Sequence, residues 1–337
     1  MANACGLDCS QCPALNRCGG RSNFCLLGHC EGCSNNPLMR MDVRRSVMDH
    51  LGGLDLTWPD AVTHHEVRDL PVHLPVLVQA YADSVGLPWV ALHAGRVFGP
   101  AGSALTPKHR SPLHTVYRLS AETRLALEFY VEDRVLEGVW AHRRQLIDEI
   151  RSLSFDLILS PNFSVWRDHS RFEQLVQQRR SFAFYHELRD AGLPAIPDIG
   201  WSFFEPDGRL WADWINSQPG LAAVSIFCGG RKIHAERRAF RETLEDIALF
   251  HRAVRAGVTF VLGGIHAPER LLALRLAAPG RQLVICNGMA YALAQRRKLL
   301  DRRVRAARSA RECFLLNCES NTRIYAQIMQ QDLFRAA

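Results

Sequence analysis

Seven of the eleven cysteines, Cys5, Cys9, Cys12, Cys18, Cys25, Cys30 and Cys33, crowd the amino terminus together with His29. Cys9/Cys12 and Cys30/Cys33 are each separated by two intervening residues, a step at which two thiolates of one turn reach the same ion, because the loop between them folds its amides toward the sulfurs. The segment has too few large apolar side chains to fold on burial alone, so an ion would staple it. These ligands suffice for two zinc sites, or for one zinc site plus an iron–sulfur cluster with an open position. In a reducing compartment such crowding means metal rather than disulfides, whereas Cys228, Cys286, Cys313 and Cys318 are scattered.

A second group of candidates follows short apolar runs. Asp198, Asp133, Glu132, His266 and Cys228 have the chemistry of acids, bases or nucleophiles. Glu132-Asp133 suits a cation, a base edge or a proton, and Asp198 precedes Trp201, a carboxylate beside an aromatic platform for a planar ligand. His93, Ser160, Asn162, Ser164 and Asn287 add hydrogen-bonding groups for a substrate. Cys228 opens Cys-Gly-Gly-Arg-Lys, in which Gly229 lets backbone amides approach an anion and Arg231 adds charge. His64-His65 reads as solvated surface.

Only parallel strands covered on both faces would bring these residues together. Trp89–His93, Leu125–Val131, the run from Phe155 to Leu159, Ala195–Ile199, Ala222–Phe227, Thr259–Leu262 and Gln282–Cys286 are short, apolar on both faces and bounded by turn residues. Helical patterns such as Ser170–Ala191 and Arg237–Ala256 lie between them. The alternation predicts a (β/α) barrel of the TIM type or an open doubly wound sheet, and the absence of a Gly-x-Gly-x-x-Gly turn after any strand favours the barrel. Ser160, Asp198, Cys228 and His266 are then expected around one mouth. The expected organisation is a cysteine module over residues 1–36, a linker with a helix at Met41–His50 over 37–75, a barrel over 76–292, and a basic helical segment over 293–337. The linker reads as a hinge, and the loop Gly95–Pro112 as a binding loop over the mouth.

With 47% hydrophobic and 22% charged residues, the chain is neither disordered nor fibrous. No apolar run approaches the roughly 20 residues of a membrane helix, and the amino terminus lacks signal-peptide regions, so no membrane partner and a cytoplasmic location are expected. A net charge of +7 and a pI near 9.0 are compatible with nucleic acid. Arg296, Arg297 and Arg303 belong to a basic run reaching Arg311 that would, on a helix, present a cationic face to phosphates.

Leu127-Glu128-Phe129-Tyr130-Val131-Glu132-Asp133 with Trp140, then Phe155-Asp156 to Ser164, then Gly192 to Trp201, resemble the bacterial and phage family called domain of unknown function four-four-one-seven over about residues 70–265. Many of its members carry Pro-Asp-Phe-Ser where this chain has Pro161-Asn162-Phe163-Ser164. Ser225 to Arg231, Phe260 to Ile265, Asn287 to Tyr291 and Asn317-Cys318 resemble the late strands of the guanine transglycosylase superfamily, most of all the branch that inserts deazaguanines into DNA. That resemblance implies base exchange through a covalent intermediate on an aspartate, and Asn287 stands at the matching position. Cys5-x-x-x-Cys9-x-x-Cys12 has the spacing of radical S-adenosylmethionine enzymes, and the same opening is similar to small cysteine-rich bacterial modules.

Three functions are carried forward. The first is a metal-containing barrel enzyme acting on a nucleobase or nucleic acid by transglycosylase-like modification. The second is a nucleic-acid-binding accessory protein with a degenerate barrel. The third is an iron–sulfur enzyme of the radical S-adenosylmethionine kind.

Overall fold

The computed structural model describes residues 41–58, 67, 69–165, 171–201, 207–229, 237–300 and 309–331. The cysteine segment, His64-His65, Arg231 and Arg303 lie outside the described residues.

Eight parallel strands form one sheet in the order β5-β4-β3-β2-β1-β8-β7-β6. They are β1 (His73–Leu77), β2 (Trp89–His93), β3 (Arg124–Glu128), β4 (Leu157–Leu159), β5 (Ala195–Ile196), β6 (Ala223–Phe227), β7 (Thr259–Gly263) and β8 (Leu283–Asn287). The sheet nearly closes into a barrel: β5 and β6 meet through the bridge Asp198–Ser225, where Ser225 N donates to Pro197 O at 2.9 Å and Ile199 N donates to Ser225 O at 2.8 Å. Because strand side chains alternate, one residue in two faces the lumen. Leu74, Trp89, Ala91, Ala126, Leu157, Leu159, Ile196, Val261 and Val284 pack there as one apolar cluster, the filled interior expected of a small barrel.

Helices cover the outside. α1 is Met41–Leu51, α2 Ala94–Val97, α3 Leu113–Tyr117, α4 Asp133–Ala141, α5 Arg143–Arg151 and α6 Arg171–Asp190. α7 is Arg209–Asn216, α8 Arg237–Ala253, α9 Pro268–Ala277, α10 Met289–Gln295 and α11 Ala310–Gln330.

Four features differ from the sequence-based expectation. The barrel starts earlier than position 76, because His73–Leu77 is a strand despite its central Pro75. Proline cannot donate to a ladder and ordinarily marks an edge; here β1 pairs with β8 through its first residues and with β2 through its last. Within the expected hinge, the described residues 41–58 are docked on the barrel. Leu51 and Leu54 pack on Phe172, Leu175 and Val176 of α6, and the Arg179 guanidinium donates to the carbonyls of Leu51, Asp55 and Thr57 at 2.6–2.9 Å. The loop over 95–112 packs against α4: a Cβ on Gly138 would lie 1.7 Å from Ala101 O, and Leu105 N donates to Glu149 Oε2 of α5 at 2.9 Å.

The fourth difference is at the carboxyl terminus, where the described residues of 293–337 do not form one basic helix. α10 stops at Gln295, Arg297 takes a left-handed conformation (φ 51°), and residues 301–308 lie outside the described residues. α11 opens on a capping box of Ser309 and Glu312 and balances Arg311 and Arg323 against Glu312 and Glu319. It buries Phe314, Cys318 and Tyr325 and so belongs to the outer layer of the barrel.

Candidate functional site

All eight strands point the same way, so their carboxyl ends share one mouth, the end at which barrel sites lie. Ionisable groups there enter the lumen from strands that are otherwise apolar. On β3, Ala126 and Glu128 share the lumen face; on β2, Trp89, Ala91 and His93 do. Neighbouring in register, His93 Nδ1 donates to Glu128 Oε1 at 2.5 Å, while Glu128 Oε2 accepts from Tyr130 N at 2.6 Å. Glu128 is 2% exposed. Burial pulls the His93 pKa down, but the hydrogen bond and charge of Glu128 outweigh it, and the imidazole stays protonated to higher pH than usual.

Across the lumen, Asp198 is wholly buried. Its Oδ2 accepts from Ser225 Oγ at 2.9 Å, and its backbone N donates to Ser160 Oγ at 2.8 Å. Burial pushes its pKa up to about 8 against the smaller opposing pull of Ser225 and Tyr130, so the acid is largely neutral at pH 7. Asp198 Oδ1 and the Tyr130 hydroxyl are buried without a hydrogen bond of normal length and angle, yet near enough to affect each other's ionisation. The Cys286 thiol of β8 joins this group, and burial raises its pKa.

An aromatic pair roofs the group. Tyr130 and Phe227 stack with centroids 4.6 Å apart and planes inclined by 22°. Glycines seat both rings: a Cβ on Gly263 would lie 2.3 Å from Tyr130, and one on Gly264 2.7 Å from Phe227. Gly229 has the same use, since its Cβ would lie 2.8 Å from Phe227 Cζ. It makes room for a ring, and the rest of the expected anion loop lies outside the described residues.

Several expected site residues face elsewhere. Cys228 comes one residue after lumen-facing Phe227, and its thiol points into the outer layer, toward Ile226 O at 3.9 Å. Asn287, next to lumen-facing Cys286, bonds Ile265 O at 3.0 Å and Tyr325 Oη at 3.2 Å through Nδ2 and accepts from Met289 N at 3.0 Å. It is a satisfied joint between β8 and α11. Trp201 is buried against Phe250 and donates to Asp246 at 3.1 Å, so it offers no open platform. Glu132 and Asp133 are exposed at the start of α4, where Asp133 Oδ1 accepts from Ser164 Oγ at 2.7 Å. Asn162 is half-buried near Gly200. His266 is half-buried and its carbonyl accepts from Tyr325 Oη at 3.4 Å. Arg296 and Arg297 are exposed after α10, which carries the chain back from the mouth by about 10 Å at 1.5 Å per residue.

Five lumen residues, Glu128, Tyr130, Ser225, Phe227 and Cys286, are not among the site residues expected from the sequence. The available signal was a glutamate at an inward position of an apolar strand. No group of three or more His, Cys, Asp or Glu suited to a metal occurs among the described residues, and no described helix is long and apolar enough to cross a membrane.

No curated protein matches the chain. A family model described as Domain of unknown function (DUF4417) matches residues 106–254, under half of the chain but including Glu128, Tyr130, Ser160, Asp198, Ser225 and Phe227. It is this family that the central part of the barrel is similar to.

Proposed function

We propose that the protein is a barrel enzyme that binds a nucleobase at the carboxyl end of its strands and moves protons on it, with a nucleic acid as the larger substrate. The observation carrying this reading is the pairing, in one lumen, of the His93–Glu128 couple with a buried Asp198. A neutral carboxyl group presents a donor and an acceptor side by side, the complement of the lactam or amidine edge of a base. A buried oxygen without a partner is costly, and such an edge would satisfy it. His93, oriented by Glu128, supplies a proton carrier of the kind general acid–base catalysis uses.

The same geometry argues against covalent base exchange in its ordinary form. Asn287 is an amide tied up in structural hydrogen bonds, and a carboxyl group neutral at pH 7 is a weak nucleophile. Asp198 is therefore assigned recognition and proton transfer. The net charge of +7 supports a nucleic-acid substrate, although Arg296 and Arg297 lie away from the mouth. The cysteines and His29 form a donor set that fits zinc or an iron–sulfur cluster. Cys5, Cys9, Cys12, Cys18, Cys25, Cys30 and Cys33 would hold the metal as a structural staple.

Incubating the full-length, metal-replete protein with DNA or tRNA and labelled guanine tests the reading. Base-dependent turnover or binding lost in Asp198→Asn and reduced in His93→Gln is expected. A wild-type protein that neither binds nor alters any base overturns it. Salt-sensitive nucleic-acid binding without turnover is the second reading, favoured by the structural use of Asn287, and a binding constant insensitive to salt would exclude it.

A further inference from the structure

Resting on that reading, we infer that Tyr130 is a gate whose ring occupies the berth of the substrate base, so that a flat heterocycle with an adjacent donor and acceptor displaces it and stacks on Phe227. Three observations meet here. The first is the asymmetry of the two rings. Phe227 is held from two sides, by Gly229 and Gly264, whose Cβ atoms would lie 2.8 and 2.7 Å from it. Tyr130 belongs to the turn after β3, where Val131 N donates to Phe129 O at 2.8 Å, and its ring rests on Gly263. Phe227 is thus seated between two loops and Tyr130 against one strand, and the outward turn is assigned to Tyr130.

The second observation is that the phenol is a poor tenant. Its hydroxyl reaches the most buried part of the mouth, close enough to Asp198 and Ser225 to interact with both, yet it and Asp198 Oδ1 meet no partner at full hydrogen-bond distance and angle. A phenol has one polar atom on its leading edge; a lactam or amidine edge has two, spaced to meet both a carboxyl hydroxyl and its carbonyl. The third is shape. The stacked pair, with planes inclined by 22°, leaves room on Phe227 only for something of ring thickness, and stacking on an aromatic wall favours flat π systems. Because both rings are partly exposed at the top of the mouth, Tyr130 can leave toward solvent while the strand ladder beneath it stays intact. The ligand class that follows is a planar oxo- or amino-heterocycle. A sugar or an aliphatic acid would lose the stacking.

Hypoxanthine is the probe, titrated by calorimetry into the full-length protein. Tyr130→Ala removes the competing ring and should bind about five- to tenfold tighter than wild type, the worth of one aromatic pair. Tyr130→Phe keeps the ring and should gain less, and Phe227→Leu should lose binding. Nitration of Tyr130, followed by mass spectrometry in the wild type, gives a readout that needs no variant: the phenol should be protected alone and become reactive on adding hypoxanthine. If hypoxanthine binds in a manner sensitive to Asp198→Asn while Tyr130 stays protected and Tyr130→Ala binds no tighter, the gate is refuted and the acid–base reading stands. If hypoxanthine binds neither wild type nor any folded variant, the gate is refuted, and base-dependent turnover on DNA or tRNA then decides the reading separately.

Discussion

The two halves of the barrel lumen are built from the same strands to opposite ends. Toward the amino-terminal end the inward residues are Leu74, Trp89, Ala91, Leu157 and Val261, fully or almost fully buried and without a charge among them. Trp89, the largest, uses its only polar atom on Asp69 O at 3.1 Å. Toward the carboxyl end come His93, two positions beyond Ala91 on β2, and with it Glu128, Asp198, Ser225 and Cys286 from other strands, equally removed from water except for His93. The lower half gains from burial, whereas the upper half pays a desolvation cost to hold acids in a dry place. Such a cost without structural benefit marks a candidate site.

Truncation in the lower half should have the largest effect. Leu157→Ala leaves a cavity in a lumen that cannot collapse from any side, and should lower stability by about 2–5 kcal/mol in chemical denaturation. In the upper half, Asp198→Asn should do the reverse. The folded pKa of Asp198, about 8, lies above the unfolded carboxyl value. Its contribution is therefore complete at acid pH and is lost as pH rises from the unfolded pKa through the folded one. The variant lacks this loss, so its advantage should grow between pH 5 and pH 8, to on the order of a few kcal/mol. An advantage equal at both values would show that the acid is ionised in the fold.

At the rim, Gly263→Ala places a methyl group 2.3 Å from the Tyr130 ring. The ring must move, at a cost of about 1–3 kcal/mol in thermal unfolding, and Tyr130 should become reactive to nitration. The smallest change is electronic. Glu128→Gln should shift the His93 titration, followed by NMR, to lower pH, because it removes the charge that outweighs the imidazole's burial. A titration unmoved by the substitution would sever His93 from the couple.

Much of this comparison can be read without coordinates. Seven of the strands appear as apolar runs bounded by turn residues, and Asp198 and Ser160 stand out as polar groups just past their ends. The missed strand is β1, because Pro75 argues against any strand that must pair on both sides, and only the staggered register with β2 and β8 lets a residue without a donor sit there. The errors at Cys228 and Asn287 have one cause. A strand's period of two makes adjacent residues face opposite ways, and from an apolar run covered on both faces nothing reveals which of the two faces the lumen.

What the sequence determined by itself is the pattern of burial. Short runs apolar on both faces, separated by amphipathic stretches, have no stable arrangement except parallel strands covered by helices. That pattern also gathers the strand-end residues at one mouth, because parallel strands share their direction. Tertiary structure decided the parity: Glu128 and Asp198 turn inward, and Asn287 and Cys228 outward. It also decided the closure at Asp198–Ser225 and the roof of Tyr130 on Phe227, which depends on glycines from β7 and the loops after β6 and β7 meeting in space. The physical reason is range. Periodicity is local and survives in any short window, whereas register and ring seating depend on residues far apart in the chain.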